Sequence, residues 1–308
     1  MVKKATRAEQ PRGPGFGPSQ VEAKRLLRRF GLRPRKGLGQ HFLIDEGVLL
    51  RLVSAAELTP EDLVVEVGPG LGILTRELAR RAGGVVAIEL DARLASALRL
   101  NLASFANVSI VNSDVLDIDP AELIETAQRD AHLPQASNIA GYKLVANLPY
   151  YAATPIVRHF LEANLKPRLM VFMVQKEVGQ AMVAQPGHMS LLSVGVQLYG
   201  LPSIVGYVSA QSFYPPPKVE SVILRISPYK QPIFALEDTG RFFQLVGAGF
   251  SAPRKQLHNS LAQGLGLPAS EIAGLLDEAN INAQRRAQTL SLEEWAKLWA
   301  AFVHSRSN

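Results

Sequence analysis

The chain has 308 residues, 47% hydrophobic and 19% charged, which is enough for a sizeable core and for more than one domain. No apolar run approaches the ~20 residues of a membrane span, and no apolar region follows Lys3, Lys4 and Arg7, which argues against a secretory signal; the Arg-rich, acid-poor start leaves a transit peptide open. The absence of cysteine excludes disulfides, thiolate metal sites and cysteine nucleophiles together, and a cytoplasmic location is expected.

The net charge of +6 is concentrated at one end. Residues 1–36 hold eleven Lys and Arg against Glu9 and Glu22, residues 37–228 hold fourteen against eighteen acids, and residues 229–308 hold eight against seven. Residues 1–32 therefore read as a basic arm, suited to a polyanion partner because neutralising phosphates gives affinity without reading sequence. Met1–Ser19, rich in Gly and Pro, reads as a solvated tail, and Val21 to Phe30 as a helix bearing Arg25, Arg28 and Arg29.

Next comes Arg35-Lys36-Gly37-Leu38-Gly39-Gln40-His41-Phe42-Leu43, two bases beside two glycines, a loop able to approach a ligand or a phosphate closely. His41 is either a ligand contact or an ordinary loop histidine. Asp45 is placed to cap a helix starting near Glu46.

Leu63 to Val67 reads as a strand, followed by Gly68-Pro69-Gly70-Leu71-Gly72 and a helix from Ile73 to Arg81. Strand, glycine-rich turn and helix open a nucleotide-binding α/β sheet, in which glycines let the backbone approach the ligand. A second strand, Val85 to Ile88, ends in Glu89, about 20 residues beyond the glycines, where a carboxylate accepts from ribose hydroxyls. The glycines do not follow the dinucleotide spacing, and Glu66 before the turn would repel a diphosphate while suiting a cationic amino group. These features point to S-adenosylmethionine. After a third strand, Val108 to Asn112, Asp114 is placed to accept from the cofactor's adenine amine, with Val115 or Leu116 packing nearby; capping a turn is its alternative role.

Helices at 91–102 and 121–128 separate these strands, and residues 130–141 form a polar loop. The apolar run Tyr142 to Ala146 leads into Asn147-Leu148-Pro149-Tyr150 at the carboxyl end of a buried strand, where open α/β sheets place their ligands. The Asn147 side-chain oxygen and the Leu148 carbonyl can accept both hydrogens of an exocyclic amine, and Tyr150 offers a flat face to a base. Met170 and Met173 read as core fillers. The triple proline of Phe213-Tyr214-Pro215-Pro216-Pro217-Lys218-Val219 would hold Phe213 rigidly, either to sandwich a base against Tyr150 or to plug the core; Lys218 is a phosphate-contact candidate. From about Tyr229 the pattern becomes all-helical, with a helix predicted over 254–263; Arg254 and Lys255 at its start either touch RNA or form an ordinary exposed helix end. No metal site is expected.

Together these motifs resemble the ribosomal RNA adenine dimethyltransferases, from about Arg35 to Leu261. The resemblance implies a doubly wound, Rossmann-like methyltransferase sheet over residues 33–228 and a small all-helical RNA-substrate domain over 229–308. It implies that His41, Leu43, Gly68, Glu89, Asp114 and Asn147 contact S-adenosylmethionine, with Glu66, Gly70, Gly72, Leu90 and Val115 around them. Asn147, Leu148, Pro149, Tyr150 and Phe213 would hold the target adenine, and Arg35, Lys36, Lys218, Arg254 and Lys255 the RNA. The implied reaction is dimethylation of N6 on two adjacent adenosines in the 3'-terminal hairpin of small-subunit (16S) rRNA, by a monomer. Many members carry Asn where this chain has His41, and Pro253-Arg254 replaces twin arginines. A large-subunit enzyme of the antibiotic-resistance type, or a non-catalytic assembly factor on the same fold, are the alternatives.

Overall fold

A computed structural model of the protein describes residues 19–35, 37, 39–129, 133 and 141–307; Lys36 and most of the polar loop at 130–141 lie outside them. The chain opens with α1 (Gln20–Arg29), capped by Ser19, whose Oγ accepts from the Glu22 N–H at 3.1 Å. Its Ala23, Leu26 and Leu27 are buried, so this part of the basic arm is a packed element of the body. After β1 (Phe42–Leu43), Asp45 caps α2 (Glu46–Ala55) by accepting from Val48 N–H at 3.0 Å.

The alternating unit then runs β2 (Leu63–Val67), α3 (Ile73–Ala79), β3 (Gly84–Ile88), α4 (Ala92–Asn101), β4 (Val108–Val111), α5 (Pro120–Arg129), β5 (Tyr142–Asn147), α6 (Ala153–Glu162) and β6 (Leu169–Gln175). These strands are parallel, and the inner ones are near-continuous apolar runs because helices cover both faces of the sheet. Short helices α7 (Lys176–Met182) and α8 (Leu191–Gln197) lead to β7 (Gly200–Val208), β8 (Phe213–Tyr214) and β9 (Ser221–Pro228). The main sheet has the order β4-β3-β2-β5-β6-β9-β7, with β9 antiparallel to both β6 and β7. The chain moves outward from β2 to β4 and returns to β5 on the other side of β2. That reversal opens a crevice at the carboxyl ends of β2 and β5, the usual ligand position in such sheets.

One face of the sheet packs Val64, Val145 and Val171 against α1, α2 and α3. The other packs Val65, Leu144 and Phe172 into an apolar core that continues through Phe160 and Val194 to the carboxyl-terminal helices α9 (Thr239–Phe250), α10 (Leu257–Leu265), α11 (Ala269–Glu278) and α12 (Leu292–Ser307), with Phe242 and Trp295 fully buried. The helix predicted over 254–263 starts later, at Leu257. Ser251 to Gln256 is a turn, closed by Lys255 N–H donating to the Ala252 carbonyl at 2.9 Å, so Arg254 and Lys255 sit on an exposed turn beside Pro253. Among the described residues no helix is long and apolar enough to cross a membrane.

Candidate active site

A cavity occupies the crevice between β2 and β5. On its β2–β4 side the wall includes Glu66, Gly68, Gly70, Glu89, Leu90, Asp114 and Val115. Gly68, Gly70 and Gly72 all have positive φ (69°, 58° and 77°), the left-handed conformation that L side chains rarely adopt. Their roles differ. A Cβ on Gly70 would lie 3.1 Å from the Phe42 ring, which closes over the turn from β1. Gly72 faces away from the cavity, and a Cβ there would lie 2.8 Å from Leu98 of α4. The glycine assigned from sequence to the ligand therefore serves the packing of α3 on α4, the close approach that the third glycine of such turns allows.

Glu89 is buried at the end of β3. Its Oε2 accepts from Gly70 N–H at 3.2 Å and its Oε1 from Asp91 N–H at 2.9 Å. Burial pushes this carboxyl above the ordinary range, against the opposing pull of the two N–H groups. Asp114 caps a short 3-10 turn, one oxygen accepting from Leu116 N–H at 3.0 Å, and the residue also lines the cavity. Leu90 is 46% exposed at the rim, an apolar face with no partner in the core.

Glu66 is the most telling group. It is fully buried on β2, and its Oε2 has no hydrogen-bond partner among the described residues. Burial, helped by the neighbouring Glu89 charge, raises its carboxyl to about 8. A carboxyl with an unpartnered oxygen, on a residue that lines a cavity, suits a cationic ligand group. With the acids Glu89 and Asp114 on the same wall, the lining fits S-adenosylmethionine, which carries a cationic amino group and a sulfonium.

The β5 side is built from His41, Leu43, Asn147, Leu148, Pro149 and Tyr150. The Asn147 Nδ2 donates to the His41 carbonyl at 3.1 Å, which turns the carboxamide so that Oδ1 is its unclaimed end. Leu148 N–H donates to Met173 at 3.2 Å, while the Leu148 carbonyl receives no hydrogen bond among the described residues. Asn147 and Leu148 thus each bring a free acceptor to the residues lining the cavity. The Tyr150 hydroxyl is paired with Ser221 Oγ, and its ring stacks on His41 with centroids 5.6 Å apart and planes inclined by 28°.

Phe213 departs from the sequence reading. It is 2% exposed and does not line the cavity; β8 pairs with β1, setting Phe213 opposite Leu43 and turning its ring into the core beneath α1 and α2. Its core-plug alternative describes it. Among the RNA candidates, Arg35 is paired with Asp91 at 3.2 Å, Lys218 and Arg254 are exposed, and Lys255 donates to Gln263 at 2.9 Å. Three contributors escaped the sequence. Tyr151 lines the cavity mouth, and only its adjacency to Tyr150 hinted at this. Ser221 and the Pro215 carbonyl, which hold Tyr150 and His41, gave no local signal.

Residues 31–298 match the family model described as ribosomal RNA adenine dimethylase. The chain is 48% identical over 285 residues (92% of it, 94% of the relative) to ribosomal RNA small subunit methyltransferase A of Dehalococcoides mccartyi strain ATCC BAA-2266. It is 42% identical to the protein of the same name from Moorella thermoacetica, covering 91% of this chain and 96% of that one. Among solved structures it resembles the 23S rRNA methyltransferase ErmE, with 29% identity, a TM-score of 0.63 and 84% and 98% of the two chains covered. In fold it is also similar to a dimethyladenosine transferase from Plasmodium falciparum, with 24% identity, a TM-score of 0.71 and 86% and 98% covered. The chain belongs to the ribosomal RNA adenine dimethylase family and is an S-adenosylmethionine-dependent methyltransferase.

Proposed function

We propose that the enzyme dimethylates N6 of two adjacent adenosines in the 3'-terminal hairpin of small-subunit (16S) rRNA during ribosome biogenesis, working as a cytoplasmic monomer. The observation that carries the chemistry is the Asn147 amide, tied through Nδ2 so that Oδ1 is left free, in a cavity that the next residue, Leu148, also lines with an unclaimed carbonyl. Relatives near half identity along the whole chain, named for the small subunit, favour that substrate.

When bound, S-adenosylmethionine supplies a methyl group on a positively charged sulfur. Glu66 would hold its amino group, Glu89 its ribose and Asp114 its adenine amine, with Leu90 and Val115 as apolar contacts for the adenine and Leu43, His41 and the Gly68–Gly70 turn completing the wall. Asn147 Oδ1 and the Leu148 carbonyl would accept the hydrogens of the target N6, two before the first transfer and one before the second, polarising the N–H bonds toward nitrogen and favouring a lone pair outside ring conjugation. Each transfer makes an N–CH3 bond, breaks the S–CH3 bond and releases one N6 proton to solvent. Positioning and fixed dipoles supply the acceleration without a strong general base. Pro149 stiffens the turn, and Tyr150 stacks on the base, which must leave its helix at a cost of a few kcal/mol that stacking offsets. Phe213 supports this wall from the core. Arg35, Lys36, Lys218, Arg254 and Lys255 contact RNA phosphates.

The test is methyl transfer onto unmodified small and large subunits, followed by mass spectrometry of the digested nucleosides. Dimethyladenosine should form on the small subunit alone. Product confined to the large subunit would replace this reading with the resistance type.

A further inference from the structure

His41 joins three segments that are far apart in sequence. Its backbone carbonyl accepts from Asn147 Nδ2 at 3.1 Å, across 106 positions. Its ring Nδ1 lies 2.7 Å from the Pro215 carbonyl, across 174 positions; a carbonyl only accepts, so Nδ1 carries the hydrogen and donates. The same ring stacks on Tyr150, whose hydroxyl is anchored to Ser221 at the start of β9. The imidazole therefore spans the proline-rich segment and the turn after β5, and its placement fixes where its own carbonyl stands.

That carbonyl decides a chemical question. A carboxamide is planar, with donor and acceptor at opposite ends, and half a turn exchanges them. With Nδ2 held by His41, the acceptor end of Asn147 is the one left for a ligand. Rotated the other way, the side chain would set an NH2 group against an amine whose hydrogens need acceptors.

We propose that His41 is a positioning residue for the methyl-accepting amine: clamped between Pro215 and Tyr150, it holds the Asn147 amide with its oxygen toward the target nitrogen. This rests on the reading of Asn147 as the acceptor. His41 acts on the rate of transfer through Asn147 and Tyr150, beyond any contact with the cofactor.

The test uses the full-length protein with His41→Ala, His41→Phe and His41→Asn. Cofactor affinity is measured by calorimetry with S-adenosylmethionine, and single-turnover transfer on unmodified small subunits is measured at saturating cofactor. His41→Ala should lose about tenfold to a hundredfold in rate at saturating cofactor, the scale of a misplaced reacting group, a loss that remains after any weakening of cofactor affinity has been saturated out. His41→Asn, which keeps a donor within reach of Pro215, should restore most of the rate. His41→Phe keeps a ring and no donor and should stay about tenfold down; this pair decides the matter if the alanine variant fails to fold. An unchanged rate in His41→Phe and His41→Ala, or a loss confined to cofactor affinity, would overturn the proposal. Asn147→Ala, run alongside, separates the two readings: if it is inactive while the His41 variants are intact, only the positioning role fails; if it is fully active, the acceptor reading fails and the positioning role with it.

Discussion

The two sides of the cavity hold their polar groups by different means. On the β2–β4 side the groups lining the cavity are carboxyls: Glu89 is held by the Gly70 and Asp91 N–H groups and Asp114 by that of Leu116, while Glu66 Oε2 has no partner among the described residues. On the β5 side the groups are neutral, an amide and a peptide carbonyl, and the amide is set by His41, 106 positions away, which is itself tied to Pro215, 174 positions from it. Charge suits a cofactor that arrives carrying its own cation. Neutral acceptors suit a target amine, because a carboxylate beside the cofactor's sulfur would be attracted to the sulfonium and drawn away from the amine hydrogens. One side is a charge-matched binding surface, the other a geometric device.

The comparison can be broken most directly on the geometric side. Asn147→Ala removes one of two fixed acceptors and should lower single-turnover transfer by about 10²–10³-fold, the scale seen when one preorganised dipole is removed from an active site. Dimethyladenosine yields within a few-fold of wild type would show that the amide is not part of the device.

On the charged side, Glu66 gives a pH signature. Its folded-state value of about 8 lies above its ordinary 4.5, so the folded protein holds a proton that the unfolded chain releases. Stability should therefore fall as pH rises from about 4.5 to about 8, by on the order of a few kcal/mol. Glu66→Gln removes most of that slope, leaving the smaller contribution of Glu89 in the same direction. Denaturant titrations between pH 5 and pH 8.5 check it, and a slope unchanged by the substitution would mean that Glu66 is ionised throughout. Glu89→Gln keeps size but loses the charge and one of the two acceptors that Gly70 and Asp91 use, and should weaken cofactor affinity by at least about tenfold, the worth of a charge-assisted hydrogen bond over a neutral one. Calorimetry measures it, and unaltered affinity would remove Glu89 from the cofactor's partners.

The smallest effect sharpens the boundary of the site. Gly72→Ala places a Cβ 2.8 Å from Leu98 at a positive φ, costing about 1 kcal/mol of stability. Cofactor affinity should stay the same, because Gly72 is not on the cavity wall. A loss of affinity with unchanged stability would return this glycine to the ligand.

The charged side was readable because its signals are local. An apolar strand, a glycine-rich turn and an acid ending the next strand follow in order along the chain, and each places a side chain by the geometry of its own element. Gly72 shows the limit of that locality: its conformation was legible, its contact with Leu98 was not. The proline-rich segment hid more. Its stiffness was evident, but the side to which Phe213 points depends on pairing with β1, and in a strand the pairing partner decides which face each residue takes.

By itself the sequence determined the alternating sheet, the capped helices, the acids at the strand ends and the residue types at the turn after β5, because hydrophobic period and turn chemistry act over a few neighbouring residues. Only the tertiary structure decided that Phe213 is core, that α1 is packed against the sheet, and that His41 fixes the end of Asn147 facing the cavity. Those outcomes depend on contacts between segments brought together by strand order, and a hydrogen bond across 106 or 174 positions leaves no pattern in the residues between.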